Sequence, residues 1–325
     1  DLAGLNIPFM LLIGNPEERL LNCLQHLQPA AVYFDFNPLR GPRQTQRTVA
    51  DQAVCAVYSV DTHNIIPTWI TSDKQEFAAR TLRPKIHRHL TDYLVEPTGP
   101  QTHPHVWDGP VITLGELGGR IELLLEDTKP NGQTELQTHF PAGSKSAKRR
   151  LSHFIRNGLR DYATLRNDPT KDGLSGLSPY LHFGQVSSLR VVIEAQKALA
   201  TDSSLQHGFD ALVEEMVVRK ELGDNYCYHN CHYDSLDGAA AWAQKTLKKH
   251  AGDPREFVYT TAEFEQAKTH DPAWNAAQKQ LLQTGKMHGY MRMYWAKKVL
   301  EWSESPEQAV KTLIYLNDFY SIDGG

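Results

Sequence analysis

At 325 residues the chain exceeds one ordinary core, and two domains of about 150 residues are expected. Apolar residues at 40% and charged residues at 22% exclude a disordered or membrane-embedded chain, and no apolar run reaches the roughly 20 residues that span a bilayer. A net charge of −4 argues against a strongly electrostatic nucleic-acid binder without excluding DNA, and any DNA-binding face must be a local basic patch balanced by acidic surface elsewhere. The opening DLAGLNIPF lacks the layout of a signal peptide, which predicts a cytoplasmic protein. The four cysteines are too few for a disulfide framework. Cys227 and Cys231, interleaved with His229 and His232, have no second matching ligand pair, and no metal site is expected.

Residues 5 to 70 alternate short apolar runs with helical stretches: IPFMLLIG, PEERLLNCLQHL, AAVYFDF, AVYSVD and IIPTWI. Apolar runs of this length between helices predict buried parallel strands, hence an α/β, Rossmann-like domain over residues 1–95. Leu5 to Gly14 reads as a second or third strand with no βα unit before it, so the sheet is expected to be incomplete. The lone glycine of LLIGNPEE is no dinucleotide fingerprint. Residues 96–147 are rich in Pro, Gly, Thr and His and read as an inter-domain linker. At its end KSAKRR is either a solvated helix start or a DNA or phosphate contact.

From residue 148 to 325 the period becomes helical and strand signals vanish, which predicts an all-helical domain. Leu151, Phe154, Ile155, Leu159, Tyr162 and Leu165 fall on one face of a long helix. Further helices are expected at 185–200, 207–224, 238–250, 261–268, 272–284, 289–302 and 306–317. The loop DGLSGLSPYLHFGQVS, residues 172–187, places two serines among glycines ahead of a proline. Its amides and hydroxyls could hold phosphate oxygens, while Ser178 before Pro179 suits a helix N-cap.

That loop resembles the flavin-diphosphate loop of the photolyase and cryptochrome family. EEMVVRKELGDNYCYHN, GKMHGYMRMYWAKKVLEW and LNDFYSIDG follow it in order and are similar to class II photolyases, while PFMLLIGNPEE, DFNPLRGPR, VDTHNIIPTWI and SDKQEFAARTLRPKI resemble the class II antenna domain. The resemblance implies an FAD-binding helical domain that acts as a carbon–carbon lyase. Reduced FAD would pass one electron under light to a cyclobutane pyrimidine dimer flipped out of DNA. It implies an FAD diphosphate held by Tyr162, Leu174, Ser175, Gly176, Leu177 and Ser178, with Arg219, Arg292, Asn317 and Asp323 also at the cofactor. Arg292 would pair with Asp323 beside the flavin ring, and Asn317 would face its N5 edge.

By the same resemblance Glu215 bonds the lesion's base edges. Such a donor must be protonated, which predicts burial that raises its pKa. Met293 would neighbour the lesion, and Val218 stands where class I enzymes carry a tryptophan. Trp295 would lie nearest the flavin, Trp274 in the middle and Trp302 outermost, as an electron relay to the surface. Seven positions place Trp295 and Trp302 about 20° apart on one helix face and about 10 Å apart along it. Core packing is the alternative for each ring.

The remaining expectations are a second antenna chromophore of unidentified kind, damaged DNA as partner, a monomer, and a location at the nucleoid or in a nucleus. Class II enzymes continue past the motif at Ile322 to Gly324, so both ends are expected to be clipped. Two rival readings stay open: a non-repairing, cryptochrome-like flavin photoreceptor, and a non-catalytic helical nucleotide- or DNA-binding module.

Overall fold

The computed structural model describes residues 2–109 and 139–324, so positions 110–138 of the expected linker lie outside the described residues. The chain forms two compact units, the described parts of residues 1–60 with 95–134 and those of residues 61–94 with 135–325.

In the first unit, helix α1 (Pro16–Leu27) starts where the Asn15 side chain accepts the Glu18 amide at 3.1 Å. Pro16 fills the first helical position, and Glu17 and Glu18 face the positive end of the helix dipole. Strands β1 (Ala31–Asp35) and β2 (Ala56–Val60) pair in parallel, from Ala31 opposite Ala56 to Asp35 opposite Val60. Helix α2 (Arg40–Gln52) supplies the crossover that parallel neighbours require. Tyr33 and Tyr58 stack across the pair with ring centroids 5.1 Å apart. The α/β expectation holds, with a two-stranded sheet among the described residues.

Two apolar runs expected as strands are not strands. IPFMLLIG forms none, and Phe9, Leu12 and Ile13 are exposed, because apolar composition cannot replace a neighbouring strand's backbone groups. At IIPTWI, side chains take the amides that a sheet would have used. The Asp61 carboxylate accepts from the backbone of His63, Asn64 and Thr68, and Glu221 Oε1 accepts the Ile65 amide at 2.8 Å. Pro67 then starts the one-turn helix α3 (Thr68–Thr71).

The second unit is helical. It contains α4 (Ala79–Tyr93), α5 (Ser144–Asn157), α6 (Tyr162–Leu165), α7 (Ser178–His182), α8 (Ser188–Thr201) and α9 (Gln206–Val213). A π-helical turn, Glu214–Arg219, joins α9 to α10 (Lys220–His229). There follow α11 (Ala241–Lys249), α12 (Thr261–Glu265), α13 (Pro272–Thr284), α14 (Gly289–Trp302) and α15 (Pro306–Tyr320). The long helix expected through Leu165 breaks after Asn157. At the break the Leu159 amide reaches back five residues to the Phe154 carbonyl, and Gly208 packs so closely that an added Cβ would strike the Leu159 carbonyl oxygen. The apolar spacing runs on because both pieces face one core.

That core gathers Leu82, Ile86, Leu151, Leu159, Leu177, Leu212 and Val217, so residues 61–94 are buried with the helical unit rather than with the sheet. A second core collects Phe264, Trp274, Leu281, Trp295, Val299, Trp302 and Leu316. Among the described residues no helix is long and apolar enough to cross a membrane, and no His, Cys, Asp and Glu cluster could hold a metal.

Glu221 is buried between the 61–66 turn and α10, and its Oε2 has no partner. Burial pushes its carboxyl from an ordinary 4.5 up to about 8. Between those values unfolding releases a proton, so stability must fall as pH rises from about 4.5 to about 8. Glu221→Gln keeps the acceptor and removes the titration. Thermal melts across that range are expected to show a falling midpoint for the natural chain and a flatter profile for the variant.

Candidate functional site

The loop 174–178 closes one side of a cavity of about 410 Å³ in the helical unit. Arg150, Lys171, Gly176, Lys286 and His288 are among its lining residues. Gly176 adopts φ +65°, and an added Cβ would meet the Arg150 guanidinium at 2.5 Å. Arg150 Nε donates to the Ser175 carbonyl at 2.8 Å, so the basic KSAKRR stretch is a helix start whose last arginine braces the loop. Ser175 and Leu177 are buried, Leu174 is half-buried, and Tyr162 is buried edge-on to Phe154 with centroids 5.2 Å apart. Burial pushes the Tyr162 hydroxyl up to about 12.

Ser178 does not cap a helix. It is the first residue of α7, which has no side-chain cap, and its hydroxyl takes a hydrogen bond from the Lys286 ammonium. Lys286 also donates to Asp323 Oδ2 at 2.8 Å, Arg292 Nη2 donates to Asp323 Oδ1 at 3.0 Å, and the Ser321 hydroxyl adds a bond at 2.7 Å. Arg292 and Asp323 are therefore joined, with Lys286 as a third member that the sequence reading passed over. Burial alone would raise the Asp323 carboxyl, but the Lys286 and Arg292 cations outweigh it and hold the group well below the usual carboxylate range. Asn317, half-buried, donates its side-chain amide to Asp318 at 3.0 Å.

The three tryptophans are in contact and buried. Trp274 lies between the others, 6.3 Å from Trp295 and nearly parallel to it at 9°, and 6.3 Å from Trp302 at 64°. Trp302 does not itself reach the surface as expected. It packs against His270 at 4.8 Å, carries the Lys298 ammonium over its ring at 5.2 Å, and borders a cavity of about 650 Å³. The Trp274 indole donates to the Trp295 carbonyl at 3.0 Å, and the Trp295 indole donates to Gln278 Oε1 at 2.9 Å.

Glu215 departs from the expected buried acid. Its side chain, 31% exposed, forms an ion pair with Arg166 Nη1 at 2.8 Å, and Arg166 in turn covers the Tyr162 ring at 5.9 Å. The neighbouring Glu214 holds Arg83 through two bonds and Arg219 through one at 2.9 Å, so Arg219 serves Glu214. Val218 is fully buried in the first core and Met293 is exposed. Arg150 lies in the basic KSAKRR stretch, where nothing sets it apart from its neighbours. Nothing in residue type or spacing marks Arg166, Gln278 or Lys286, whose partners come from distant positions.

The DNA photolyase family profile matches residues 1–104. The whole chain aligns with a deoxyribodipyrimidine photo-lyase of Oryza sativa subsp. japonica at 42% identity, covering 64% of that protein. A photo-lyase of the same name from Potorous tridactylus is 43% identical over the whole chain, which covers 60% of it. The chain thus spans less than two thirds of these relatives. A Synechocystis cryptochrome structure shares the fold with a TM-score of 0.61 at 14% identity, over 94% of this chain and 66% of that one.

Removing the Asp323 carboxylate would leave two cations without their shared anion. Asp323→Ala is expected to destabilise the helical unit by about 3–5 kcal/mol in urea unfolding, with Lys286→Met in the same chain recovering part of the loss. Because the folded pKa is depressed, this contribution is present above the ordinary carboxylate value of 3.8 and is lost as pH falls through the folded value.

Proposed function

Because the chain belongs to the DNA photolyase family, we propose that it repairs cyclobutane pyrimidine dimers in DNA with light, using a bound FAD. The observation that carries the reading is the contiguous line of Trp295, Trp274 and Trp302, the first two stacked and the third edge-on, a run of oxidisable rings in contact.

The residues present fit a dinucleotide. A loop with a glycine at positive φ, backed by Arg150 and Lys286 around a cavity, suits a diphosphate. Leu174 to Ser178 would hold that diphosphate and Tyr162 would flank it. When bound, the flavin supplies the light-driven one-electron chemistry. The Arg292–Asp323 pair would offer the ring a cation and an anion without a free charge, and Asn317 an amide that cannot ionise. The three tryptophans would carry electrons inward toward the cofactor.

Glu215 would hydrogen-bond the dimer's base edges, and the Arg166 pair holds its carboxylate in place until the lesion arrives. Exposed Met293 supplies apolar contact for a flipped dimer. Flipping costs a few kcal/mol, less for a lesion that already pairs badly.

Purified protein should carry flavin absorbance and, under blue or near-ultraviolet light, restore pyrimidines in dimer-containing DNA. Flavin without repair would favour a photoreceptor, and no flavin a non-catalytic module. Glu215→Gln is expected to lower the repair yield, while an unchanged yield would remove Glu215 from the chemistry.

A further inference from the structure

We propose that Gln278 is a positioning residue that keeps the indole proton on Trp295 during electron transfer, so that the oxidised relay passes charge on instead of trapping it. The inference rests on the relay reading above and concerns a residue outside the relay itself.

An indole that has lost an electron becomes a strong N–H acid. If its hydrogen-bond partner is a base, the proton leaves and the charge is trapped as a neutral radical. Gln278 is fully buried on α13, and its Oε1 is the partner of Trp295 Nε1 at 2.9 Å. The indole can only donate, so the amide oxygen must face it, and the amide nitrogen turns away toward the Glu265 carbonyl at 3.4 Å. An amide oxygen accepts a hydrogen bond but does not take a proton at ordinary pH. Trp274, the next ring, repeats the arrangement by donating to the Trp295 backbone carbonyl.

The nearby carboxylates are engaged elsewhere. Asp271 accepts from the Tyr294 hydroxyl and from the Ala273 and Trp274 amides, and Glu265 accepts from the Tyr315 and Tyr320 hydroxyls. Both inner rings therefore face acceptors without basicity. In the step that follows, one electron passes from Trp274 to oxidised Trp295, no bond breaks and no proton moves. The electron first lost by Trp295 is accepted by a photo-excited, oxidised isoalloxazine ring.

The test is flash photolysis of the FAD-loaded protein, reading the radical-cation and neutral-radical absorption of tryptophan. The unsubstituted protein should show radical cations that reach Trp302, a signal lost in Trp302→Phe. Gln278→Glu, in alkaline buffer where the new carboxyl ionises, should give a neutral radical at Trp295 and cut the Trp302 signal by about tenfold. An unchanged radical species in this variant would overturn the inference while leaving the relay intact. Absence of any tryptophan radical in the unsubstituted protein would overturn the relay and the inference together.

If the glutamate variant fails to fold, Gln278→Leu in the protein without cofactor gives an independent reading by nuclear magnetic resonance. The Trp295 indole N–H signal should shift upfield and exchange faster with deuterated water. A signal that does not move would overturn the assignment of Gln278.

Discussion

The buried carboxylate of Asp323 is the constraint on which the rest of the site depends. It holds Lys286 and Arg292 at once, and through Lys286 it reaches Ser178 at the entrance to α7. Arg292 sits on α14, which also carries Trp295 and Trp302, so one anion sets the N-terminal half of the helix that bears two of the three rings. The Ile322 amide bonds the Gly285 carbonyl at 2.8 Å, which fastens the segment carrying Asp323 to the turn between α13 and α14. A charge cluster removed from water is expensive unless every member is paired. Here Asp323 joins the start of α7, the turn before α14 and α14 itself.

The two cores of the helical unit divide the labour. The first contains Leu177 and Tyr162 and so stiffens the loop around the cavity. The second is built largely of the relay itself, with Trp274, Trp295 and Trp302 packed among Phe264, Leu281, Val299 and Leu316. Core packing and electron relay are thus the same arrangement seen in two ways. Rings stacked with centroids 6.3 Å apart are held there by ordinary apolar burial.

Periodicity carried much of this into view. The spacing in residues 272–284 and 289–302 marks α13 and α14 to the residue, since capping signals such as Asp271 and Gly285 bracket them. Apolar runs without those signals misled, as at IPFMLLIG and IIPTWI, because a strand is defined by its neighbour and not by its own composition. The break after Asn157 was invisible for a related reason: Leu159 and Tyr162 stay apolar on either side of it. In the site, Arg292 with Asp323 was legible through resemblance. Lys286 and Arg166 were not, because a long basic side chain on a helix has the same local signature whether it meets water or a buried carboxylate.

The π-helical turn gives consecutive carboxylates different partners. Within Glu214–Arg219 the Lys220 amide reaches back five residues to the Glu215 carbonyl, which accommodates one residue more than an α-helix would. Glu214 serves Arg83 and Arg219, while Glu215 serves Arg166. Deleting one residue here would let the stretch relax to α-helix with its two ends still in register, because the wide turn exists to absorb that residue. The extra position in this wide turn is thus carried by the backbone alone, and the acids on it reach Arg83, Arg219 and Arg166 from a single turn.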